Sequence, residues 1–117
     1  MTGPLLVAYK VLTPQQRETL RAERIFCGAP IDLADGYIHL STGNQLAETL
    51  NKHFTGQTDL YIAAVDLEKL GDAVKWEESR GGQLFPHVYG PLPLSAITAM
   101  FPLERDSTGA LSLPLGI

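Results

Sequence analysis

One cysteine, Cys27, stands in the 117 residues. An intramolecular disulfide and a cysteine-cluster zinc site are therefore excluded. Basic residues are also scarce: nine Lys and Arg face 13 Asp and Glu, a formal charge of −4. That balance disfavours bulk attraction to nucleic acid or to an anionic membrane. Charged residues are 19% of the chain and hydrophobic ones 44%, which argues against disorder driven by charge. No apolar run approaches the roughly 20 residues that span a bilayer. No basic segment followed by an apolar run opens the chain, so no signal peptide is expected. GxSxG, HExxH, P-loop and GxGxxG patterns are all missing. These absences leave a small soluble domain, expected in the cytoplasm.

The length suits one domain over 1–117. Folding at this size buries roughly two thirds of the unfolded surface, enough for a core without staples. Gly (11) and Pro (8) are plentiful against a usual joint share of about 12%, so many turns are expected. Leu5 to Leu12 reads as a buried strand. Thr13, Pro14 and Gln16 form a capping box with proline at the first helical position. That polar helix is expected to reach about Ile25, with Gly28 as its stop. The stretch 28–36 reads as irregular, closed by an Asp35-Gly36 turn.

Tyr37 to Ser41 reads as a short strand. Thr42 and Gln45 then suggest a second capping box, with Leu46, Ala47, Leu50 and Phe54 on one helical face. Leu60 to Val65 reads as a central strand. Ala73 to Glu78 alternates, with Val74 and Trp76 on one face and Lys75 and Glu77 on the other. Phe85 to Tyr89 carries Pro86 and is expected at a sheet edge or irregular rim. Ile97 to Leu103 is a late strand, and the tail adds scope for one more. The order implies α+β architecture.

Three places could carry chemistry. On the first short strand Tyr37, His39 and Ser41 share a face and run into a helix start. Exposed amides there would favour an anion such as phosphate. Taken alone, the row is better explained by a satisfied core histidine and a capping threonine. In the second place Phe85, His87 and Tyr89 share a face, an arrangement that can stack on a planar ring. A packed rim explains it equally well. In the third, Glu77 faces away from Trp76 and needs a partner or a cleft. His39 and His87 are expected to open into one cavity, with Glu77 facing it. Such a set suits general acid–base work on a sugar hydroxyl or a nucleophile. A metal site from His39, Glu77 and His87 is chemically allowed but has no ligand spacing to support it. His53 reads as a surface residue and Cys27 as buried or incidental.

Tyr9-Lys10, Asp35-Gly36-Tyr37-Ile38-His39-Leu40-Ser41, Trp76-Glu77 and Phe85-Pro86-His87-Val88-Tyr89-Gly90-Pro91-Leu92, in this order, resemble the bacterial domain-of-unknown-function family 952. The resemblance covers nearly the whole chain. It implies an ADP-ribosyltransferase-like fold: a split, bent antiparallel or mixed sheet with two main helices around a cleft. It further implies a nucleotide ligand, with NAD a candidate substrate and no required cofactor. Glu77, His39 and His87 would be catalytic. Tyr9, Lys10, Tyr37, Ser41, Phe85 and Tyr89 would bind the ligand. His39 and Ser41 match the middle-strand position, and Glu77 or the His87–Tyr89 pair the later one. The first strand departs from the pattern, with Tyr9-Lys10 where Arg or His is usual. The activities implied are an NAD-using glycosyl (ADP-ribosyl) transferase or an NAD hydrolase. The alternatives are a non-catalytic nucleotide-binding or interaction module and, third, a metal-assisted hydrolase.

Overall fold

Two runs of the chain are apolar on both of their faces, and they pair at the centre of the protein. These are β1 (Val7–Leu12) and β4 (Tyr61–Asp66), antiparallel neighbours in a three-stranded sheet completed by β8 (Ile97–Pro102). The structure is a computed structural model, and it describes residues 6–54, 56–105 and 111–112. Leu5, the expected strand start, lies outside them. Ala8 and Leu12 of β1 enter one core cluster with Ala63 and Val65 of β4. Val11 enters a second with Ile62, Leu46 and Leu50. Burial on two sides is why neither strand alternates in polarity.

Helix α1 (Pro14–Glu23) starts as its sequence dictates: Gln16 N–H donates to Thr13 Oγ1 (3.2 Å), and Thr13 N–H to Gln16 Oε1 (3.0 Å). It ends earlier than expected. Arg24 takes a left-handed conformation (φ 62°), which frees Ile25–Phe26 to form β2 against β7 (Leu92–Pro93). The stretch expected to be irregular contains helix α2 (Pro30–Asp35). Pro30 begins it, the Asp32 side chain accepts the Ala29 N–H (2.8 Å), and Gly36 (φ 88°) closes it. The third helix, α3 (Leu46–His53), begins at Leu46, with Gln45 at its cap. Thr42 does not cap it. Instead the Gln45 side chain accepts the Thr42 N–H (3.0 Å) and donates to Leu84 O (2.8 Å). There are thus three α-helices among the described residues, one more than the two main helices expected.

A second three-stranded antiparallel sheet runs β3 (Ile38–His39), β6 (Leu84–Val88), β5 (Val74–Glu78). Here β6 is central, which corrects the edge position expected from Pro86. Pro86 O accepts from Leu40 N (3.0 Å). The reciprocal bond is the one a proline cannot donate, and β3 stops at His39. The chain continues extended, and Ser41 bridges to Tyr9 of β1 (N···O 2.8 and 2.9 Å), tying the two sheets together. A small ladder joins β9 (Glu104–Arg105) to β10 (Leu111–Ser112). The architecture is α+β with antiparallel sheets. No helix among the described residues is long and apolar enough to cross a membrane. Cys27 is exposed, not buried.

Candidate functional site

Strand register decides which side chains meet. His39 pairs with His87 across β3 and β6, and Lys75 and Glu77 pair with His87 and Phe85 across β6 and β5. Paired residues share a face, so both histidines and Glu77 lie on one side. Ile38, Val74, Trp76 and Val88 take the other and pack into the core. The imidazole centroids are 5.3 Å apart. Tyr37 sits over them, stacked on His87 (4.2 Å, 26°) and tilted against His39 (4.6 Å) and Tyr89 (5.2 Å).

A cavity of about 630 Å³ opens between β1, the starts of α1 and α2, the β3 segment and β6. Its size fits a small organic ligand. Seven of the nine sequence candidates line it: Tyr9, Lys10, Tyr37, His39, Ser41, Phe85 and His87. Glu77 and Tyr89 do not, although Glu77 was expected to face the cleft. They stand behind His87, because Glu77 lies diagonally across from it. Glu77 Oε1 is 2.8 Å from His87 Nδ1 and accepts the Tyr89 hydroxyl at 2.7 Å. The hydrogen bonds from Tyr89 and then His87 hold the Glu77 carboxyl below the usual carboxylate range. The same bond pushes the Tyr89 phenol up to about 12. An ionised Glu77 can only accept, so His87 Nδ1 carries the proton. Nε2 of His87 is buried and has no hydrogen-bond partner.

The residue that sequence reading missed is Asp32. It is 2% exposed and accepts from four donors: Lys10 Nζ (2.9 Å to Oδ2, 3.1 Å to Oδ1), Ala29 N, His39 N (3.1 Å) and His39 Nδ1 (2.7 Å). Burial would raise its pKa. The hydrogen bond from His39 and the charge of Lys10 outweigh burial and hold it at about 2. Burial pushes Lys10 down, against the pull of Asp32, and Lys10 also donates to His39 O (3.0 Å). Asp35, read as a turn residue, places Oδ2 2.9 Å from His39 Nε2. His39 thus lies between two carboxylates, and only a ring protonated at both nitrogens donates to both. A sequence signal for Asp32 did exist: a lysine inside a strand buried on both faces requires a buried counter-charge, and Asp32 lies three residues past the cap of a proline-started turn.

The hydroxyls of Ser41 and Thr49 bond each other at 2.8 Å. His53 is exposed at the end of α3 and also lines the cavity. The metal arrangement considered from His39, Glu77 and His87 finds no support in the donor set. Both His39 nitrogens and the Nδ1 of His87 are committed to carboxylates. No group of three His, Cys, Asp or Glu among the described residues is placed to hold an ion.

The chain is similar to solved structures of protein CC0527 from Caulobacter crescentus. Its crystal structure superposes with a TM-score of 0.86 at 45% identity, covering 92% of this chain and 94% of that one. A double mutant of CC0527 gives 0.86 at 44% identity with the same coverage. The solution NMR structure gives 0.79 at 45% identity, covering 90% of each chain. No curated protein matches the chain. The family model described as "Protein of unknown function (DUF952)" matches residues 11–100, and the chain belongs to that family.

Proposed function

We propose that the cavity is the site of an enzyme acting on a small, ring-bearing nucleotide-type molecule, with His87 as the acid–base group. The observation that carries this reading is the state of His87. The ring is 2% exposed, it lines the cavity, and Glu77 fixes its Nδ1. Its Nε2 has no partner. A carboxylate that orients an imidazole and sets its tautomer leaves the opposite nitrogen with a lone pair for proton abstraction. Tyr37 extends the aromatic wall, and Asp32 and Asp35 hold His39 rigid beside it.

NAD is the substrate suggested by the resemblance to the ADP-ribosyltransferase-like fold. On that reading water attacks C1′ of the nicotinamide ribose. The bond from C1′ to the ring nitrogen breaks, and its electron pair leaves with nicotinamide. The proton of the water passes to His87 Nε2, which is buried and has to become accessible to take it, and from there to solvent. His39 and Ser41 orient the ribose from the wall. One observation favours a second reading, a binding module without chemistry: Glu77 is committed to His87 and Tyr89 and stands outside the cavity. An acid that held a ribose hydroxyl would have to face the ligand.

The test is nicotinamide release from NAD and from nicotinamide riboside, with binding followed by thermal shift. A ligand at 100 times its Kd adds about 2.7 kcal/mol of stability. The expected result is turnover that His87→Gln lowers by roughly 10²-fold or more, with stabilisation by ligand retained. Saturable binding without turnover would establish the second reading. Absence of both would overturn the proposal.

A further inference from the structure

We infer that the C-terminal end of α2 is a movable part of the cavity wall, latched to β3 by a His39 ring protonated at both nitrogens and released when that ring loses a proton. The latch is independent of the reaction proposed above. A six-residue helix is too short to hold its shape alone, so contacts must fix α2. Apolar packing does not: Asp32 is its one buried residue, and Pro30, Ile31, Leu33, Ala34 and Asp35 are exposed. Two carboxylates do. Asp32 and Asp35 stand three residues apart and therefore share a helix face. From it they reach opposite nitrogens of one ring: Asp32 Oδ1 is 2.7 Å from His39 Nδ1, and Asp35 Oδ2 is 2.9 Å from Nε2. The backbone of His39 is fixed by its pairing with His87 of β6.

The two ends of this clasp differ in strength. Asp32 keeps Lys10 Nζ and the amides of Ala29 and His39 whatever the ring does. Asp35 has His39 as its only hydrogen-bond partner among the described residues. A neutral imidazole carries one N–H. It goes to buried Asp32 at the shorter distance, and the Nε2 lone pair then faces the Asp35 carboxylate. Two acceptors at hydrogen-bond distance repel, so Asp35 swings away. Gly36, left-handed at φ 88°, can take other conformations at low cost. The bonds that close the helix, from the Gly36 and Tyr37 amides to Asp32 O (2.8 and 3.2 Å), open with it. Asp35 and Tyr37 both line the cavity, so its wall changes. The latched state binds one proton more than the open one, so it is favoured at low pH and lost as pH rises.

Other titratable groups surround His39 without joining the clasp. Lys10 of β1 donates to His39 O (3.0 Å) and is paired with Asp32. The rings of Tyr37 and of His87 lie 4.6 and 5.3 Å from the imidazole, centroid to centroid. Behind His87, Glu77 takes its Nδ1 and the Tyr89 hydroxyl, and Lys75 pairs with His87 across β5 and β6. Tyr9 of β1 and His53 of α3 line the same cavity. His87, the nearest second imidazole, makes no hydrogen bond to α2 among the described residues, so its titration is the control.

Amide hydrogen exchange of the full chain from about pH 5 to about pH 9, corrected for the intrinsic rate at each pH, reads the latch. Imidazole NMR signals give the titrations of His39 and His87. Protection of the Gly36 and Tyr37 amides is expected to fall roughly three- to fivefold as His39 titrates. The Leu33 amide, bonded to Ala29 O at 3.0 Å, should keep its protection. Asp35→Ala should leave Gly36 and Tyr37 weakly protected at every pH. Asp35→Asn should make their protection independent of pH, because a carboxamide accepts from the imidazolium and, turned over, donates to the bare nitrogen. Constant protection in the wild type, a fall that follows His87 instead of His39, or wild-type pH dependence in either Asp35 variant overturns the inference. Each of those results leaves the reaction proposed for His87 where it stood.

Discussion

Asp32→Asn is the sharpest test of how the site is held. The substitution keeps volume but replaces one acceptor oxygen with an NH2 group. Oδ1 accepts from the His39 amide and ring and from Lys10, and Oδ2 accepts from the Ala29 amide and Lys10. Whichever way the amide turns, its NH2 faces donors. Lys10, 7% exposed, also loses its only carboxylate partner among the described contacts. Breaking one side of a buried ion pair costs about 3–5 kcal/mol, because the remaining charge stays desolvated. Against a total stability of roughly 5–15 kcal/mol, this is a large fraction. The melting temperature should fall by on the order of 10–20 °C.

Urea titration of wild type and variant at pH 7 measures the loss, with Asp35→Asn as control. Asp35 is 45% exposed in its side chain, so its loss should cost under about 1 kcal/mol. The pH dependence supplies a second arm. The Asp32 pKa is about 2 in the fold against an ordinary 3.8. A carboxylate depressed by folding stabilises above its unfolded pKa, and that contribution disappears as pH falls through the folded one. It amounts to about 2 kcal/mol. The gap between wild type and Asp32→Asn should therefore be full above about pH 4 and narrow toward pH 2. A loss no larger than that of Asp35→Asn, or a gap that stays constant in acid, would refute the reasoning.

Two further outcomes follow from the geometry. Glu77→Gln should bring the Tyr89 phenol down from about 12 toward its ordinary value near 10, read from phenolate absorbance during alkaline titration; an unmoved titration would place the cause elsewhere. Gly28 has φ +129°, and an added Cβ would lie 2.9 Å from Asp32 Cβ, so Gly28→Ala should cost roughly 1–3 kcal/mol in urea unfolding, and a neutral result would show that α2 shifts freely.

Elements with local signals were legible in the sequence. The α1 capping box needs only Thr13, Pro14 and Gln16, and β4 needs only its apolar run. The alternation in β5 was readable because Val74 and Trp76 do pack inward. Helix α2 was not readable by periodicity: it has six residues, and its Ile31 and Leu33 are 50% and 66% exposed, so no apolar face repeats. The position of β6 was hidden because Pro86 reads as an edge residue. Its missing donor falls where β3 ends, a fact that belongs to another strand. At the site, the period-two rows placed Tyr37, His39, Phe85 and His87 correctly on one wall. Asp32 escaped because its partner Lys10 is 22 residues away and neither residue signals the other locally. Glu77 was placed on the right face but at the wrong depth, since a diagonal contact depends on the register between β5 and β6.

His39 and His87 oppose each other in one ladder, so their sequence settings make them look equivalent. Their surroundings separate them. Two carboxylates clamp His39, one at each nitrogen, and Asp32 also binds its backbone amide. That ring is therefore held as a support, and a proton given up at either nitrogen breaks a hydrogen bond. A single carboxylate holds His87, at Nδ1, and its other nitrogen is buried without a hydrogen-bond partner. Two side chains of one type, given different partners by their neighbours, are held in different ways. Asp32 is what makes the difference possible: it neutralises Lys10 and fixes His39 in the same stroke, while His87 is tied to the fold by one carboxylate alone.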